Sequence, residues 1–286
     1  MGRAIMNTIL VAVDLSHKDE ILIQRASKLA TMSNATIHLL HVRRTLRALG
    51  IDQSERKRHE SLLFKINELA KNNISAPDVK IQTHFAEGAH VFEQIHRYAQ
   101  YLNAELLIMG ASERKGEPPA FVRTTLEKLL LNAEYPVLVC SNHHKNQYEN
   151  VALDIHAKTN PSQSINILSS MLNDKLTLHY YSKAYAHTHS NFLLRLRSKM
   201  RKRQAEKLKR DMITLLETHG ILQENIYLIQ HDTRAFLCTN EDVERIRADI
   251  LVKHSLRKEL NTTSPASNIR QLLGRPPCDL LLMGKA

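Results

Sequence analysis

The feature that most constrains this chain is an alternation of short, largely apolar or β-favouring runs with longer amphipathic segments. The first run, Thr8–Val13, ends at Asp14, and the next stretch carries apolar residues at three- and four-residue spacing, which is typical of a helix. Further strands are predicted over residues 35–42, 80–85, 105–109 and 136–140, and helices around residues 21–30, 59–71, 91–99 and 125–131. Uninterrupted apolar strands between amphipathic helices predict an α/β fold with a parallel sheet covered on both faces.

The second half of the chain repeats the pattern of the first. A shift of 143 residues places residue 106 on residue 249 without a gap, and the apolar runs around residues 137 and 280 then coincide. So long a period indicates duplication of a whole domain rather than a solenoid repeat, and 286 residues suffice for two domains. The polar stretch 143–147 has no periodicity, so we predict a first domain over residues 1–145 and a degenerate second domain over residues 146–286.

Composition excludes several classes of protein. The hydrophobic fraction of 43% argues against a disordered chain, and only 8 glycines and 8 prolines argue against a collagen-like one. No apolar run approaches the ~18–20 residues of a membrane span, and Asp14 comes too early for a secretory signal. The three cysteines, Cys140, Cys238 and Cys278, lie far apart among apolar residues and are expected to be buried free thiols. We therefore expect a cytoplasmic protein with no membrane association.

Five segments together resemble the universal stress protein family. They are ILVAVDLS (9–16), IHLLHV (37–42), AEGAHVFEQIHRYA (86–99), LLIMGAS (106–112) and TLEKLLLNAEYPVLVC (125–140). The resemblance covers residues 7–141 and, more weakly, 150–283, as in a tandem two-domain member of the family. It implies that each domain is a Rossmann-like, five-stranded parallel sheet with helices on both faces. It also implies an intramolecular pseudo-dimer through the fifth strands, for which residues 137–139 and 280–282 are the candidates.

Some members of this family bind ATP, and the resemblance implies where this chain would do so. The physical basis is general: carboxyl ends of parallel strands form a crevice where the strand order reverses, and helix N-termini attract anions. In the first domain, the positions that correspond to the family's contacts are Ala12, Val13, Asp14, Val42, Met109, Gly110, Arg123, Thr124 and Thr125.

The phosphate-binding loop departs from the family pattern G-x2-G-x9-G-[S/T]. Gly110 keeps the first glycine, whereas Glu113 and Arg123 occupy the second and third positions. A glutamate would repel a triphosphate, while an arginine could supply a forked phosphate contact, so binding of ATP or another adenine nucleotide is left open in the first domain. In the second domain the three positions are Lys253, Leu256 and Ala266, so we expect no nucleotide there, and its crevice either holds something else or is filled by its own side chains.

Two other features invite a functional interpretation. Residues 195–210 carry nine lysines and arginines against Glu206, which suggests a nucleic-acid surface; an apolar stripe at helical spacing and the lack of interleaved aromatic residues favour a solvated helix face instead. His143, His144, His187 and His189 lack the spacing and partners of a zinc site and are expected in surface loops. His38 and His41 are expected to satisfy local hydrogen bonds. No metal site is predicted.

The sequence contains no motif of nucleophilic or phosphoryl-transfer catalysis. GxSxG, GxxxxGK[ST], HExxH and a complete GxGxxG are absent, and we assign no catalytic residue, although slow ATP hydrolysis is left open. We expect a non-catalytic binding or signalling module of the stress response, in which nucleotide in the first domain changes a surface read by a protein partner. The alternatives are a nucleotide-free interaction scaffold and a protein that associates with nucleic acid through its basic helix. A further homodimer is left open.

Overall fold

The computed structural model describes residues 6–45, 53–74, 76, 78–111, 124–141, 147–154, 162–183, 206–207, 209–233, 240–254, 260 and 268–284. The strands are β1 (Thr8–Val13), β2 (Thr36–Arg44), β3 (Ile81–Gly88), β4 (Leu106–Gly110), β5 (Val137–Cys140), β6 (Tyr148–Asp154), β7 (Leu172–Lys183), β8 (Ile226–Thr233), β9 (Ile250–Lys253) and β10 (Asp279–Leu282). The described helices are α1 (Asp19–Ser33), α2 (Gln53–Asn73), α3 (Val91–Tyr101), α4 (Thr125–Asn132), α5 (Ser162–Leu168), α6 (209–218), α7 (Asn240–Arg245) and α8 (Asn268–Gly274). None of these helices has the length and apolar character needed to cross a membrane.

The chain forms two compact units. The first contains Met1–His144 together with Ser255–Ala286, and the second contains Lys145–His254. The last strand, β10, thus belongs to the first unit by its packing, although the sequence repeat assigns it to the second domain. The boundary at residues 145/146 stays a prediction about the repeat.

The first unit is an α/β sheet with the strand order β3-β2-β1-β4-β5-β10. The first five strands are parallel, and β10 pairs antiparallel with β5. Because β2 follows β1 on one side while β4 lies on the other, the strand order reverses between β1 and β4. That reversal opens a crevice at the carboxyl ends of these two strands.

Local sequence explains the bounds of these elements. The strand β1 matches the predicted run exactly, because its apolar residues are buried from both faces of the sheet. The helix α2 begins at Gln53, six residues before the predicted start at His59. Its first turns, QSERKR, show no apolar periodicity but consist mostly of good helix formers, so propensity extends the helix where the hydrophobic pattern is silent.

The strand β10 is held on β5 by a ladder and by buried polar contacts. Leu280, Leu281 and Leu282 pair with Val139, Leu138 and Val137, the strands that the sequence analysis named for the seam of a pseudo-dimer. Just beyond β10, a Cβ atom on Gly284 would lie 2.6 Å from the backbone of Glu134. Only glycine allows the two backbones to approach this closely.

A buried carboxylate joins three elements of the first unit. Asp279 at the start of β10 accepts hydrogen bonds from the backbone N–H (2.8 Å) and hydroxyl (2.9 Å) of Ser141, just after β5. Its second oxygen lies 3.2 Å from Nη2 of Arg25 on α1. Burial, reinforced by the Asp279 charge, raises the pKa of the neighbouring Cys140 thiol well above its ordinary value, while Arg25 lowers it. Cys140 and Cys278 are buried free thiols, as predicted, whereas Cys238 lies outside the described residues.

Two histidines form a hydrogen-bonded stack between β2, β3 and α3. Nδ1 of His38 lies 2.9 Å from Nε2 of His84, and the rings stack at 5.2 Å between centroids. Tyr98 packs against His84 from α3. Burial lowers the pKa of both histidines, and the charge of His84 lowers that of His38 further. Since a hydrogen bond between two imidazoles needs one unprotonated nitrogen, double protonation would break this stack.

We expect this histidine pair to make the protein less stable in acid. The pKa of each histidine is lower in the folded state than the unfolded 6.5, so its contribution is present at pH 7.5 and is lost as the pH falls through 6.5. The loss is up to about 1.4 kcal/mol per pH unit for each histidine that stays neutral when folded. Urea denaturation at pH 7.5 and 5.5 should show a smaller acid loss in His84→Gln than in the unaltered protein. The exposed control His90→Gln should keep the full loss; equal losses in all three would contradict the prediction.

The second unit is a parallel sheet with the order β9-β6-β7-β8. The predicted strand around residues 151–153 extends back to Tyr148, whose side chain is fully buried. Val151, Ala152 and Leu153 are buried between β7 and β9. β6 lies between β7 and β9, as β1 lies between β2 and β4 in the first unit. The carboxyl end of β6 carries an aspartate, Asp154.

Candidate functional site

The crevice of the first unit brings together the strand-end residues predicted from the sequence. In the sheet register, Ala12 of β1 stands beside Met109 of β4, which places Val13 and Asp14 next to the end of β4 at Gly110. On the other side, Val13 stands beside His41, so Val42 of β2 lies level with Asp14. The structure thus brings these six residues together at one edge of the sheet.

The turn after β1 presents Asp14 to solvent. The Asp14 carboxylate is exposed and accepts a hydrogen bond from the backbone N–H of Ser16 at 3.0 Å. Leu15 between them has a φ of 65°, a left-handed conformation that a leucine rarely adopts. The turn therefore directs the side chain of Asp14 outward at the cost of local backbone strain.

Asp19, the first residue of α1, accepts two backbone hydrogen bonds from this turn. One of its carboxylate oxygens accepts a hydrogen bond from the backbone N–H of Leu15 at 2.6 Å, and the other accepts one from that of Asp14 at 3.3 Å. The side chain is only 2% exposed. Burial, followed by repulsion from the Asp14 carboxylate, raises the pKa of Asp19 to about 6, despite the opposing effect of the backbone hydrogen bonds. The sequence analysis did not single out Asp19; an aspartate opening a helix five residues after Asp14 was the available signal.

At the end of β4, Gly110 adds no side chain to the floor of the crevice. Among the described residues other than its chain neighbours, a Cβ atom on Gly110 would meet no atom closer than Cδ1 of Leu22, at 4.0 Å. The next residue, Ala111, continues the ladder by donating its N–H to the carbonyl of Cys140 at 3.0 Å. The chain therefore leaves β4 through two small residues, Gly110 and Ala111, next to the end of β1.

The β2 side of the crevice is fixed by polar contacts. Nδ1 of His41 lies 3.0 Å from the carbonyl oxygen of Val13 and ties the end of β2 to the end of β1. Beyond Val42, Arg43 forms an ion pair with Glu87 of β3 and lies over the ring of Phe85. His38 and His41 both satisfy local hydrogen bonds, as predicted.

The predicted phosphate-binding residues fall partly within the described chain. Arg123 and Glu113 lie outside the described residues. Thr124 caps α4: its hydroxyl accepts the N–H of Glu127 at 3.1 Å, and the Glu127 carboxylate accepts the N–H of Thr124 at 3.1 Å. Thr125 is the first residue of that helix. The carboxylate of Glu127 thus already takes up part of the anion-binding capacity of the α4 N-terminus.

The corresponding crevice of the second unit is closed by an ion pair. Lys253, at the end of β9, occupies the position that corresponds to Gly110, and Asp154 occupies the position of Asp14. The two residues are neighbours in the sheet register, and Nζ of Lys253 lies 2.6 Å from Oδ2 of Asp154. Lys253 is 2% exposed. The sequence identified Lys253 as a lost glycine, but a lysine that directly follows an apolar strand beside an aspartate could have signalled this pair.

Comparison with protein families assigns the first half of the chain. Residues 6–141 match the model of the Universal stress protein family. These residues form a universal stress protein domain. No curated protein matches the chain at a significant level.

Solved structures resemble the chain over nearly its full length. A protein of unknown function from Pseudomonas aeruginosa PAO1 covers 99% of this chain and 93% of its own at a TM-score of 0.60 and 17% identity. A universal stress protein from Archaeoglobus fulgidus DSM 4304 covers 98% of this chain and 97% of its own, at a TM-score of 0.60 and 14% identity. At such identities the likeness concerns the fold, so the predicted α/β, Rossmann-like universal stress protein fold is confirmed.

The remaining predicted features fall largely outside the universal stress protein core. Of the basic segment 195–210, the structure describes only residues 206, 207, 209 and 210, all of them exposed. His143, His144, His187 and His189 lie outside the described residues. Within the part of the chain that the structure describes, no group of three or more His, Cys, Asp or Glu residues could hold a metal ion.

Proposed function

We propose that this chain is a tandem universal stress protein whose first domain binds an adenine nucleotide, with ATP as the first candidate, in the crevice between β1 and β4. The observation that carries the proposal is the exposed Asp14 carboxylate at the end of β1, next to the end of β4 at Gly110, where that strand adds no side chain. A carboxylate at this place can accept hydrogen bonds from an adenine amino group or from ribose hydroxyls. The protein acts as a non-catalytic, cytoplasmic binding or signalling module, since its sequence carries no motif of nucleophilic or phosphoryl-transfer catalysis.

The contrast between the two crevices supports binding in the first domain alone. The chain builds the same strand-end arrangement twice, but only in the second unit does a lysine take the place of the glycine. There the buried Lys253 ammonium group bonds the Asp154 carboxylate, which is then less available to a ligand. We infer a stoichiometry of one nucleotide per chain.

The tandem organisation also suggests how a bound nucleotide could affect binding of a protein partner. The two repeats, residues 1–145 and 146–286, would form an intramolecular pseudo-dimer joined through the last strand of each, and the β5–β10 ladder supports this proposal. A covalent link keeps such a pairing at a high effective concentration. The occupied first domain would then present its altered surface to a protein partner.

Asp14→Ala is expected to abolish or strongly weaken nucleotide binding. A hydrogen bond to a charged group contributes about 1.5–3 kcal/mol, which corresponds to roughly 10- to 100-fold in affinity. Isothermal titration of ATP and ADP into protein stripped of nucleotide, with and without Mg²⁺, measures this loss and the stoichiometry. Asp78→Ala, which removes an exposed aspartate elsewhere in the first unit, is the matched control.

Three results would count against the proposal. The unaltered protein would not bind ATP up to millimolar concentration, which would favour the nucleotide-free scaffold. Alternatively, Asp14→Ala would bind as tightly as the control, which would move the site away from β1. A stoichiometry of two would show that Lys253 does not close the second crevice.

A further inference from the structure

A buried carboxylate is bonded to the turn that carries Asp14. Asp19 accepts the backbone N–H groups of both Asp14 and Leu15, the two residues at which the chain leaves β1 for the crevice. The bond from Leu15 is short, at 2.6 Å, as expected for a charged acceptor. A neutral carboxyl group keeps one good acceptor oxygen, so it could not serve both amides equally well.

The strain of the turn makes this anchoring necessary. Leu15 has a φ of 65°, and a side-chain-bearing residue in this region persists only when its surroundings hold it there. The shortest described contact of its backbone is the hydrogen bond to Asp19. Without that bond, the turn would relax toward an ordinary φ and move Asp14 away from the end of β4.

Asp19 serves this turn at a cost to the stability of the fold. Its pKa is raised in the folded state, so the folded chain holds a proton more tightly than the unfolded chain between pH 3.8 and about 6. The sign follows from linkage: Asp19 favours folding most at low pH, and this contribution is lost as the pH rises through about 6. At neutral pH the ionised, buried carboxylate therefore opposes folding while it holds the turn.

We propose that Asp19 is a positioning residue for the nucleotide site, which fixes the turn that presents Asp14 and weakens nucleotide binding when it takes up a proton. This inference rests on the proposed function of the same crevice. It adds to that function a dependence of affinity on pH between about 5 and 7.

Among the described residues, the charged groups around Asp19 come from few elements. Asp14, from the end of β1, is the charge that raises the pKa of Asp19. His17, Lys18 and Glu20 flank Asp19 in sequence. The strand β2 contributes His41, which contacts Val13 at the end of β1. The strand β4, LLIMG, contributes no titratable side chain. The end of α2 contacts the first half of α1, where the side chains of Gln24 and Asn73 are hydrogen-bonded at 3.4 Å.

The decisive measurement is the affinity for ATP, by isothermal titration from pH 5.0 to 8.0, of the unaltered protein, Asp19→Asn and the control Glu20→Gln. The control removes an exposed carboxylate from the same helical turn. We take the ratio of the association constants of the unaltered protein and Asp19→Asn, because the titration of ATP itself cancels in this ratio. The ratio should be about 10 at pH 7.5 and fall toward one at pH 5.0, while Glu20→Gln stays within about twofold of the unaltered protein.

Two further readouts separate positioning from a merely structural role. Asp19→Asn should unfold at an equal or higher temperature than the unaltered protein at pH 7.5, since it removes a buried charge. Adding Leu15→Gly to Asp19→Asn should restore part of the affinity, because glycine adopts a φ of 65° without strain. The double variant also serves if Asp19→Asn alone does not fold.

The outcomes distinguish this inference from the proposed function. If the unaltered protein does not bind ATP at pH 7.5, the proposed function fails and the positioning role fails with it. If it binds ATP but the ratio is constant at about one over the whole pH range, only the positioning role of Asp19 is overturned. A pH-independent loss of affinity together with a lower unfolding temperature would also overturn it, since that is the behaviour of a purely structural residue.

Discussion

Asp279→Ala is expected to lower the free energy of unfolding by about 3–5 kcal/mol, because it removes one partner of a buried ion pair and leaves the other charged. Arg25 is 4% exposed and Asp279 only 1%, so the guanidinium group cannot turn to water without opening the first unit. The N–H and hydroxyl of Ser141 lose their acceptor at the same time. The contacts that fasten β10 and α1 to the end of β5 would be lost together.

The reactivity of the buried thiols measures how far the first unit opens in Asp279→Ala. In a Cys238→Ser background, Cys140 and Cys278 are buried and should react slowly with a thiol reagent, and in Asp279→Ala they should react much faster. Urea denaturation gives the accompanying change in stability. Asp174→Ala, which removes an exposed aspartate, should change neither measurement. A loss below about 1 kcal/mol with unchanged thiol reactivity would show that Asp279 does not fasten β10.

Replacing both members of the ion pair by apolar residues tests why Asp279→Ala lowers the free energy of unfolding. The double variant Arg25→Met and Asp279→Leu should recover a large part of the stability, because neither side chain then leaves a charge buried. Failure to recover would assign the effect to the Ser141 hydrogen bonds instead. A double-mutant cycle over these two residues separates the two contributions.

Periodicity was sufficient to predict β1, β4 and β5 of the first unit because they are largely buried from both faces. Such strands form continuous apolar runs, and the run at residues 8–13 has the same bounds as β1. The start of α2 was not predictable in this way, since residues 53–58 carry no apolar pattern. The place of β10 was not predictable from the repeat either: similarity between two halves identifies equivalent strands but does not say which unit each one packs into.

In the candidate site, too, positions at strand ends were predictable, whereas roles that depend on hydrogen-bond geometry were not. Asp14, Val42 and Gly110 were named through the family resemblance, and the register brings them together because strand ends in a parallel sheet meet at one edge. Asp19 and the Lys253 pair could not be predicted, because their roles depend on hydrogen-bond geometry between residues that no strand or helix period relates. Residue identity alone does not say whether a carboxylate faces a ligand, a backbone amide or a lysine.

The ion pair of the second unit should be the other large contributor to stability. Lys253→Met keeps the length of the side chain but leaves the Asp154 carboxylate buried without its cation, which typically costs about 3–5 kcal/mol. Because the chain has two compact units, a single unfolding midpoint could hide the effect. Amide hydrogen exchange localises it: exchange should accelerate in β6 and β9 but not in β1 and β4. Lys175→Met, at an exposed position of β7, is the control.

The same variants address why the second crevice contains a charged pair at all. If Lys253→Met with Asp154→Leu is as stable as the unaltered protein, the pair adds little to folding relative to apolar residues, as is common for buried ion pairs. Its effect would then be to fill the crevice and exclude ligands from the second unit. If the double variant is as unstable as Lys253→Met alone, the pair is a structural requirement of β6 and β9. The ion pair at the strand ends would then follow from the way this unit folds.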